Sequence, residues 1–375
     1  MTESSAALIA QHVPAPPTSD GASPASTGPV GARSSVPSPH DAPSIRWGIL
    51  GAGGIASTFA QAVTTGTSSH VVAVGSRDPE RARAFADANL GPDAAAVRIH
   101  ATYEALVADP EIDAIYVATP HSHHHEHALL AIRAGKNVLV EKAFTRNASE
   151  AEEVFAAARE QGVFVMEAMW TRFLPHVAAL RAAIARGEIG DVVSLVADHG
   201  QFFDVPVDHR LVNRDLAGGA LLDLGVYPVS FAHDLLGVPE SITAVGQLTD
   251  TGVDGQISMV FEYPGNVQAL LHTTLWAKTP TTATISGTAG RIEVDGSFYG
   301  PSSFRVVRLD GSTVTYERPA IKGLEFEAAE VARRITAGET ESERMSWQGT
   351  LEVMRSMDEI RRQIGLAYPG ESSPR

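Results

Sequence analysis

The chain has 375 residues, 44% of them hydrophobic, enough for two domains with sizeable cores. It has no cysteine, which excludes disulfides, thiolate catalysis and thiolate-bound metals and makes a reducing cytoplasm the expected setting. A formal net charge of −15 argues against general nucleic-acid or anionic-membrane binding, and no apolar run is long enough to span a bilayer.

Residues 1–44 are dominated by Pro, Ser, Ala, Gly and Thr without a periodic apolar face. They read as a disordered tail, lacking the basic start and apolar stretch of a secretory signal. Ile45–Leu50 reads as a strand, and Gly51-Ala52-Gly53-Gly54-Ile55-Ala56 follows it with the Gly-x-Gly-x-x-Ala spacing of a dinucleotide-binding turn. Gly51 permits the turn, Gly53 admits a pyrophosphate to the backbone, and Ala56 lets the next helix pack closely. A second strand, Val71–Gly75, ends where the ribose is read, at Ser76 and Arg77. An acid there selects NAD; a small hydroxyl followed by a guanidinium suits a 2′-phosphate. NADP is therefore the expected cofactor, with NAD the weaker alternative. Asp78-Pro79 reads as the cap and first residue of a helix.

Strands at Asp113–Ala118, Asn137–Val140 and Val163–Met166 alternate with helices at His123–Ala134 and Asn147–Gln161. About six strands are expected, as in a doubly wound sheet. Beyond Trp170 comes a helix at Pro175–Arg186. Alternating runs follow at Val192–Phe203, Ser241–Gln247, Gln256–Glu262, Val267–Trp276 and Thr282–Ser286, which predict an antiparallel sheet. Gly218-Gly219 opens a helix through Leu236, and helices near Leu324–Thr336 and Ser346–Ile364 close the chain. The predicted fold class is α/β: an N-terminal Rossmann dinucleotide-binding domain over 45–167, then a C-terminal α+β domain over 168–375 with a large, mostly antiparallel sheet. That sheet leaves one broad face to cover, which predicts a homodimer or higher homo-oligomer.

Ligands of such a sheet bind beyond its strand ends, at Thr119-Pro120-His121-Ser122-His123-His124 and at Glu141-Lys142-Ala143. A lysine at the end of a buried strand is either functional or paired with Glu141 or Glu167 to stabilise the junction. Asp223 and Tyr227, four apart, would share one helical face; the plainer alternatives are a capping carboxylate and a core aromatic. His123 and His127 with Glu126 have a spacing that zinc can use.

The fingerprint, Thr119-Pro120-His121-x-x-His124, Glu141-Lys142 and Gly218-Gly219-Ala220-Leu221-Leu222-Asp223-x-Gly225-x-Tyr227 together resemble the Gfo/Idh/MocA oxidoreductase family over about Ile45 to Gly365. Glu167–Phe173, Thr251–Asp254 and Tyr263-Pro264-Gly265 are similar to its dihydrodiol and D-xylose dehydrogenase (NADP) branch. Ala143 stands where the family usually has Pro, and His121 where it commonly has Asn. The resemblance implies that Lys142 is the active-site lysine, Tyr227 the catalytic tyrosine and Asp223 the carboxylate that orients substrate and partner. It implies a cofactor set of Gly51, Gly53, Gly54, Ile55, Ser76, Arg77, Thr119, His121, His124, Glu141, Lys142, Trp170 and Arg172. Phe202, Phe203, His209 and Trp276 are candidate substrate-lining residues for a sugar, polyol or diol, and no metal is expected. Tyr227 would take the hydroxyl proton while the Lys142 ammonium lowers the phenol pKa. The alternatives are a catalytically silent sugar or dinucleotide sensor and a sugar oxidoreductase that keeps NADP tightly bound.

Overall fold

The computed structural model describes residues 36–371. The first half alternates β1 (Arg46–Leu50), α1 (Gly54–Gly66), β2 (His70–Gly75), α2 (Pro79–Asn89), β3 (Arg98–His100), α3 (Tyr103–Val107), β4 (Ala114–Val117), α4 (His124–Arg133), β5 (Asn137–Glu141), α5 (Ala148–Gln161) and β6 (Val165–Ala168). Its sheet is parallel throughout, in the order β3-β2-β1-β4-β5-β6. Sheets covered on both faces need apolar residues at successive positions, and β4 and β6 are buried along their whole length. Asp78 caps α2 by accepting from Glu80 N and Arg81 N, at 3.0 and 3.2 Å. Asn147 caps α5 at Glu150 N, 2.9 Å away, and Gly162 ends that helix in the left-handed region at φ +65°. The three-residue β3 and five-residue α3 are too short to carry a periodic signal, and neither is anticipated from the sequence.

The second half contains α6 (Pro175–Ala185), β7 (Val192–Gly200), a π-turn over Leu221–Gly225 that runs into α7 (Val226–Leu236), β8 (Ser241–Leu248), β9 (Asp254–Tyr263) and β10 (Val267–Thr274). It continues through β11 (Ala283–Gly287), β12 (Gly290–Val294), β13 (Phe304–Arg308), β14 (Thr313–Tyr316), α8 (Leu324–Thr336) and α9 (Trp347–Ile364). The eight strands order as β14-β13-β12-β11-β7-β10-β9-β8. All neighbours are antiparallel except β7 and β10. One face, with Leu195, Ala197, Met259, Phe261, Leu271 and Ile285, is buried; Val196, Val245 and Leu270 point the other way and are exposed. Among the described residues no helix is long and apolar enough to cross a membrane.

Two expected boundaries move. Residues 36–44 are not tail: Pro39 and Ala42 are buried, and the carbonyls of Ser38 and His40 accept from Arg333 and Ser68 at 2.7 and 2.9 Å. The remainder of the expected tail lies outside the described residues. The last two helices also reach the first domain: α8 lies across α1, and α9, which packs on β8 and α7, rests against α5 as well. Trp347 stacks on Phe155 at 5.4 Å and donates its indole N–H to Val165 O at 2.9 Å. Burial of one such ring is worth about 2–3 kcal/mol, so the C-terminal helices clamp the two halves together.

Candidate active site

The glycine turn closes as its sequence requires. Gly51 has φ +103°, and a Cβ there would lie 2.9 Å from Ala118 O. Gly53 is the N-cap of α1 and supplies no side chain; above Gly54 a Cβ would meet nothing within 4 Å. The first-turn N–H groups of α1 therefore face open space at the positive end of a 13-residue helix, an arrangement that fits a pyrophosphate. Ile55 is 41% exposed at this edge. Ser76 is buried and its hydroxyl accepts from Asp78 N at 3.2 Å, while the Arg77 side chain is exposed. Arg81, one turn into α2, donates from Nε to Ala52 O at 3.2 Å and so reaches the same turn. Nothing in the sequence fingerprint flags Arg81; the cap at Asp78 is what aims it.

The loop after β4 is tied to the loop after β5 by two buried imidazoles. His124 spans Ala143 O and Thr119 O, both at 2.8 Å, and His121 is wedged between Ala217 O and Lys142 O, both at 3.2 Å. Burial pushes His121 down to about 3, so its ring is neutral and donates its single N–H to one of these two carbonyls while packing against the other. The Thr119 hydroxyl pairs with His127 Nδ1 at 3.0 Å. His123 and His127 lie 5.5 Å apart centroid to centroid, and among the described residues no group of three His, Cys, Asp or Glu side chains is placed to hold a metal ion. The Glu141 carboxylate is buried, accepting from the Tyr116 hydroxyl and from Lys142 N, so its oxygens are already engaged.

Lys142 pairs with neither Glu141 nor Glu167. Its ammonium donates to Asp223 O at 2.7 Å, lies 3.4 Å from Asp223 Oδ1, and sits 5.0 Å from the centre of the Tyr227 ring. Asp223 and Tyr227 are not simple α-helical neighbours, because the helix opens as a π-turn in which Val226 N bonds Leu221 O. This wider turn presents backbone carbonyls sideways. Lys142 takes Asp223 O, and His199 Nδ1 takes Leu224 O at 3.2 Å while His199 Nε2 accepts from Gln201 at 3.0 Å. The glycines ahead of the turn admit Asp254: a Cβ on Gly219, at φ +122°, would lie 2.0 Å from Asp254 Oδ1, and Asp254 Oδ2 caps Leu221 N at 2.6 Å.

Asp223 feels burial, which would raise its pKa, but the charges of Lys142 and Arg210 outweigh it and hold the carboxylate well below its ordinary range. Arg210 Nη1 lies 3.1 Å from Asp223 Oδ1. Tyr227 behaves opposite to expectation. Burial first, then the negative charge of Glu141, pushes its phenol well above 10. The Lys142 ammonium does not reverse this, since its charge is already answered by Asp223. The Tyr227 hydroxyl accepts from Trp170 Nε1 at 3.2 Å, and its ring packs on Tyr299 at 4.4 Å and on His199 at 5.4 Å. Burial holds His199 down at about 4.

Trp170 and Arg172, predicted to work together, diverge. They lie on a 3₁₀ turn, Trp170–Phe173, where residues two apart point to different sides. Arg172 is buried against Ser230, donating to its hydroxyl at 3.1 Å. Of the substrate-lining candidates, Phe202 is 66% exposed, Trp276 lies over Gly255, and His209 accepts from Leu211 N at 3.3 Å. Phe203 packs behind the Asp223 turn against Ala220, Leu224 and Leu275. His199, Arg210 and Tyr299 are the site residues that sequence reasoning misses.

Comparison with known proteins accounts for this arrangement. The model described as "Oxidoreductase family, NAD-binding Rossmann fold" matches residues 45–169, and that of the GFO/IDH/MocA C-terminal domain matches 177–293. The chain belongs to the Gfo/Idh/MocA oxidoreductase family. It is thus an NAD(P)-dependent oxidoreductase. It is 37% identical over 338 residues to trans-1,2-dihydrobenzene-1,2-diol dehydrogenase of Xenopus tropicalis, covering 86% of this chain and 99% of the relative. To D-xylose 1-dehydrogenase (NADP(+)) of Hypocrea jecorina it is 37% identical over 366 residues, 87% and 93% of the two chains. The fold superposes with a TM-score of 0.76 and 26% identity on a 3-ketoreductase from Actinomadura kijaniata in complex with NADP and TDP-benzene, covering 86% and 98%. An aldose-aldose oxidoreductase from Caulobacter crescentus, complexed with glycerol, gives the same TM-score of 0.76 at 26% identity, covering 86% and 97%.

Proposed function

We propose that the protein is an NADP-dependent dehydrogenase that interconverts a hydroxyl and a carbonyl on a sugar, polyol or dihydrodiol. The observation that carries this reading is the convergence of Lys142, Asp223 and Tyr227 beyond the strand ends, next to a glycine turn open to a pyrophosphate. The relatives that act on D-xylose and on a dihydrodiol support the substrate class. NADP is supported by Arg77 and Arg81 at the ribose-reading end, the absence of an acid free to bind both ribose hydroxyls there, and the NADP named for the D-xylose dehydrogenase and for the 3-ketoreductase structure. Backbone N–H groups of Gly53–Ile55 would hold the pyrophosphate, and the two guanidiniums the 2′-phosphate. When bound, the nicotinamide supplies or accepts the hydride.

The chain's own part is proton management. Because the Tyr227 phenol is held well above 10, it is protonated throughout the neutral range and is ready to donate to a carbonyl oxygen in the reductive direction. Oxidation first requires that proton to leave, so it is favoured at alkaline pH. The indole N–H of Trp170, which already donates to the phenol oxygen, steadies the phenolate left behind. Ionised Asp223 fixes Lys142 through one carboxylate oxygen and one carbonyl. Glu141 and His121, whose polar atoms are committed elsewhere, serve as supports, and Arg172 is turned toward Ser230; none of the three is carried into the cofactor set.

The test is a screen of NADP reduction over aldoses, inositols and vicinal diols. Tyr227→Phe and Lys142→Met should each lower kcat by about 10²-fold or more while NADPH binding stays within a few-fold. Near-normal kcat in both variants refutes the assignment. A reading in which NADP stays bound between turnovers draws on the likeness to the aldose-aldose oxidoreductase, and release of NADP on desalting counts against it. The outer face of the second sheet, where Val196, Leu270 and Val260 lie in register, is proposed as a homodimer contact. A monomeric mass in light scattering would refute that. A cytoplasmic location, supported by the cysteine-free sequence, is checked by fractionation.

A further inference from the structure

A second polar cleft, of about 450 Å³, lies at the C-terminal end of α7, between α6, α7 and the segment joining α8 to α9. Arg172, Arg181, Arg344, His233, Asp234 and Glu343 line it. The lining is locally cationic in a chain whose net charge is −15. Asp234 is satisfied by Arg181, whose Nη1 lies 2.9 and 2.6 Å from its two oxygens, and Arg181 Nη2 donates to Arg172 O at 3.1 Å. Glu343 is exposed, and His233, held near 4 by burial, is neutral and bonded to Ser356 Oγ at 2.9 Å.

Two guanidiniums are left over. Arg172 is 7% exposed, yet among the described residues its side chain hydrogen-bonds only to neutral groups, Ser230 Oγ at 3.1 Å and Ser230 O at 3.3 Å. Arg344 is half-buried, and among the described residues no carboxylate pairs with its side chain. A buried guanidinium with no carboxylate hydrogen-bonded to it is costly, and the Asp234 and Glu167 charges that act on Arg172 do so at longer range, with Asp234 already gripped by Arg181. Two forked donors that face one cavity and hydrogen-bond to no carboxylate among the described residues match a dianion with several acceptor oxygens. We propose that this cleft binds a phosphate group, free or carried by a small sugar, between Arg172 and Arg344 with Arg181 at its edge.

The site is placed to be read at the catalytic face. Arg172 is two residues from Trp170, which donates to the Tyr227 hydroxyl, and Ser230 follows Tyr227 by three residues on α7. A phosphate that draws the Arg172 guanidinium away from Ser230 acts on both elements that hold the phenol.

Isothermal titration of the full chain, saturated with NADP so that the ribose-phosphate pocket is filled, tests the proposal with inorganic phosphate and separately with glucose 6-phosphate at fixed ionic strength. One saturable site per chain is expected, weakened about tenfold or more in Arg344→Gln. Tighter binding of the sugar phosphate assigns the group to a phosphosugar, and tighter binding of phosphate to the free ion. No saturable binding of either probe overturns the proposal, as does wild-type affinity in Arg344→Gln. Glu343→Gln, which removes the opposing carboxylate, is expected to tighten binding, and unchanged affinity there also counts against the cleft. None of these readouts uses turnover, so failure here leaves the oxidoreductase reading standing, and an active Tyr227→Phe enzyme leaves this site standing.

Discussion

Replacing Asp223 by Asn separates two accounts of how the Tyr227 phenol is tuned. Unopposed, the Lys142 ammonium 5.0 Å from the ring would favour the phenolate by about 3 kcal/mol at an effective dielectric of about 20, a ceiling of about two pH units. In the wild type that charge is answered 3.4 Å away by Asp223, whose own carboxylate also disfavours a second anion nearby. Asp223→Asn removes the opposing charge and keeps an oxygen for Lys142 and Arg210. Half-exposed Arg210 then adds a further uncompensated positive charge, although solvent screens part of it. The assay is log kcat/KM for substrate oxidation with NADP, measured from about pH 6.5 to 10.5. The rising alkaline limb should move toward neutrality by about one unit, and the reductive reaction should begin to lose rate at a correspondingly lower pH. The double variant with Tyr227→Phe should show neither effect. An unmoved or alkaline-shifted limb refutes the reasoning, and a uniform fall in rate without a shift would assign Asp223 to substrate binding alone.

Arg77→Ala and Arg81→Ala should each weaken NADPH binding by about tenfold to a hundredfold, the worth of a charge-assisted contact to a phosphate, and leave NADH nearly unchanged; equal losses for both cofactors in a fluorescence titration would refute the 2′-phosphate reading. Gly219→Ala puts a Cβ 2.0 Å from Asp254 Oδ1 at φ +122°, so a loss of about 2–3 kcal/mol is expected in urea denaturation, and a loss under about 0.5 kcal/mol would show that the loop yields. Glu327 is fully buried with neither carboxylate oxygen partnered among the described residues; burial, then Glu141 and Glu167, raises it well above the ordinary range, and Glu167 itself is raised to about 7, chiefly by burial. The folded chain therefore keeps these protons to higher pH than the unfolded chain does, so the stability these two groups contribute is greatest below the usual Glu range and falls as pH rises through the raised values. Glu327→Leu should flatten that fall, stabilising the protein at pH 8 relative to pH 5, and an unchanged pH dependence of the melting temperature would refute it.

What the sequence discloses about this fold is what the backbone enforces locally. Gly51 and Gly162 take φ values that other residues resist, and Asp78 and Asn147 cap the N–H groups of their own helices, so each could be placed without knowing its neighbours in space. Tertiary partners are different. Lys142 and Asp223 are 81 positions apart, and nothing in either segment says that the lysine's charge will be used by the aspartate. The expectation of a lowered phenol pKa failed for that reason: it counted a nearby cation and left out both its counter-ion and the burial of Tyr227.

The same distinction explains the misplaced pairings. Trp170 and Arg172 are near in sequence, and an extended segment would send both to one side; a 3₁₀ turn sends the indole to Tyr227 and the guanidinium to Ser230. Asp223 and Tyr227 have the spacing of one α-helical face, but the π-turn alters that face and, in doing so, offers the Asp223 carbonyl to Lys142, beside the Leu224 carbonyl that His199 takes. In an ideal α-helix Asp223 O would accept from Tyr227 N, whereas Leu224 O is free in either geometry because Pro228, four residues on, has no N–H to give it. The π-turn and Pro228 together thus let one helix end hold both the lysine and the histidine around the phenol, and the Gly218-Gly219 pair admits the Asp254 carboxylate that caps the turn.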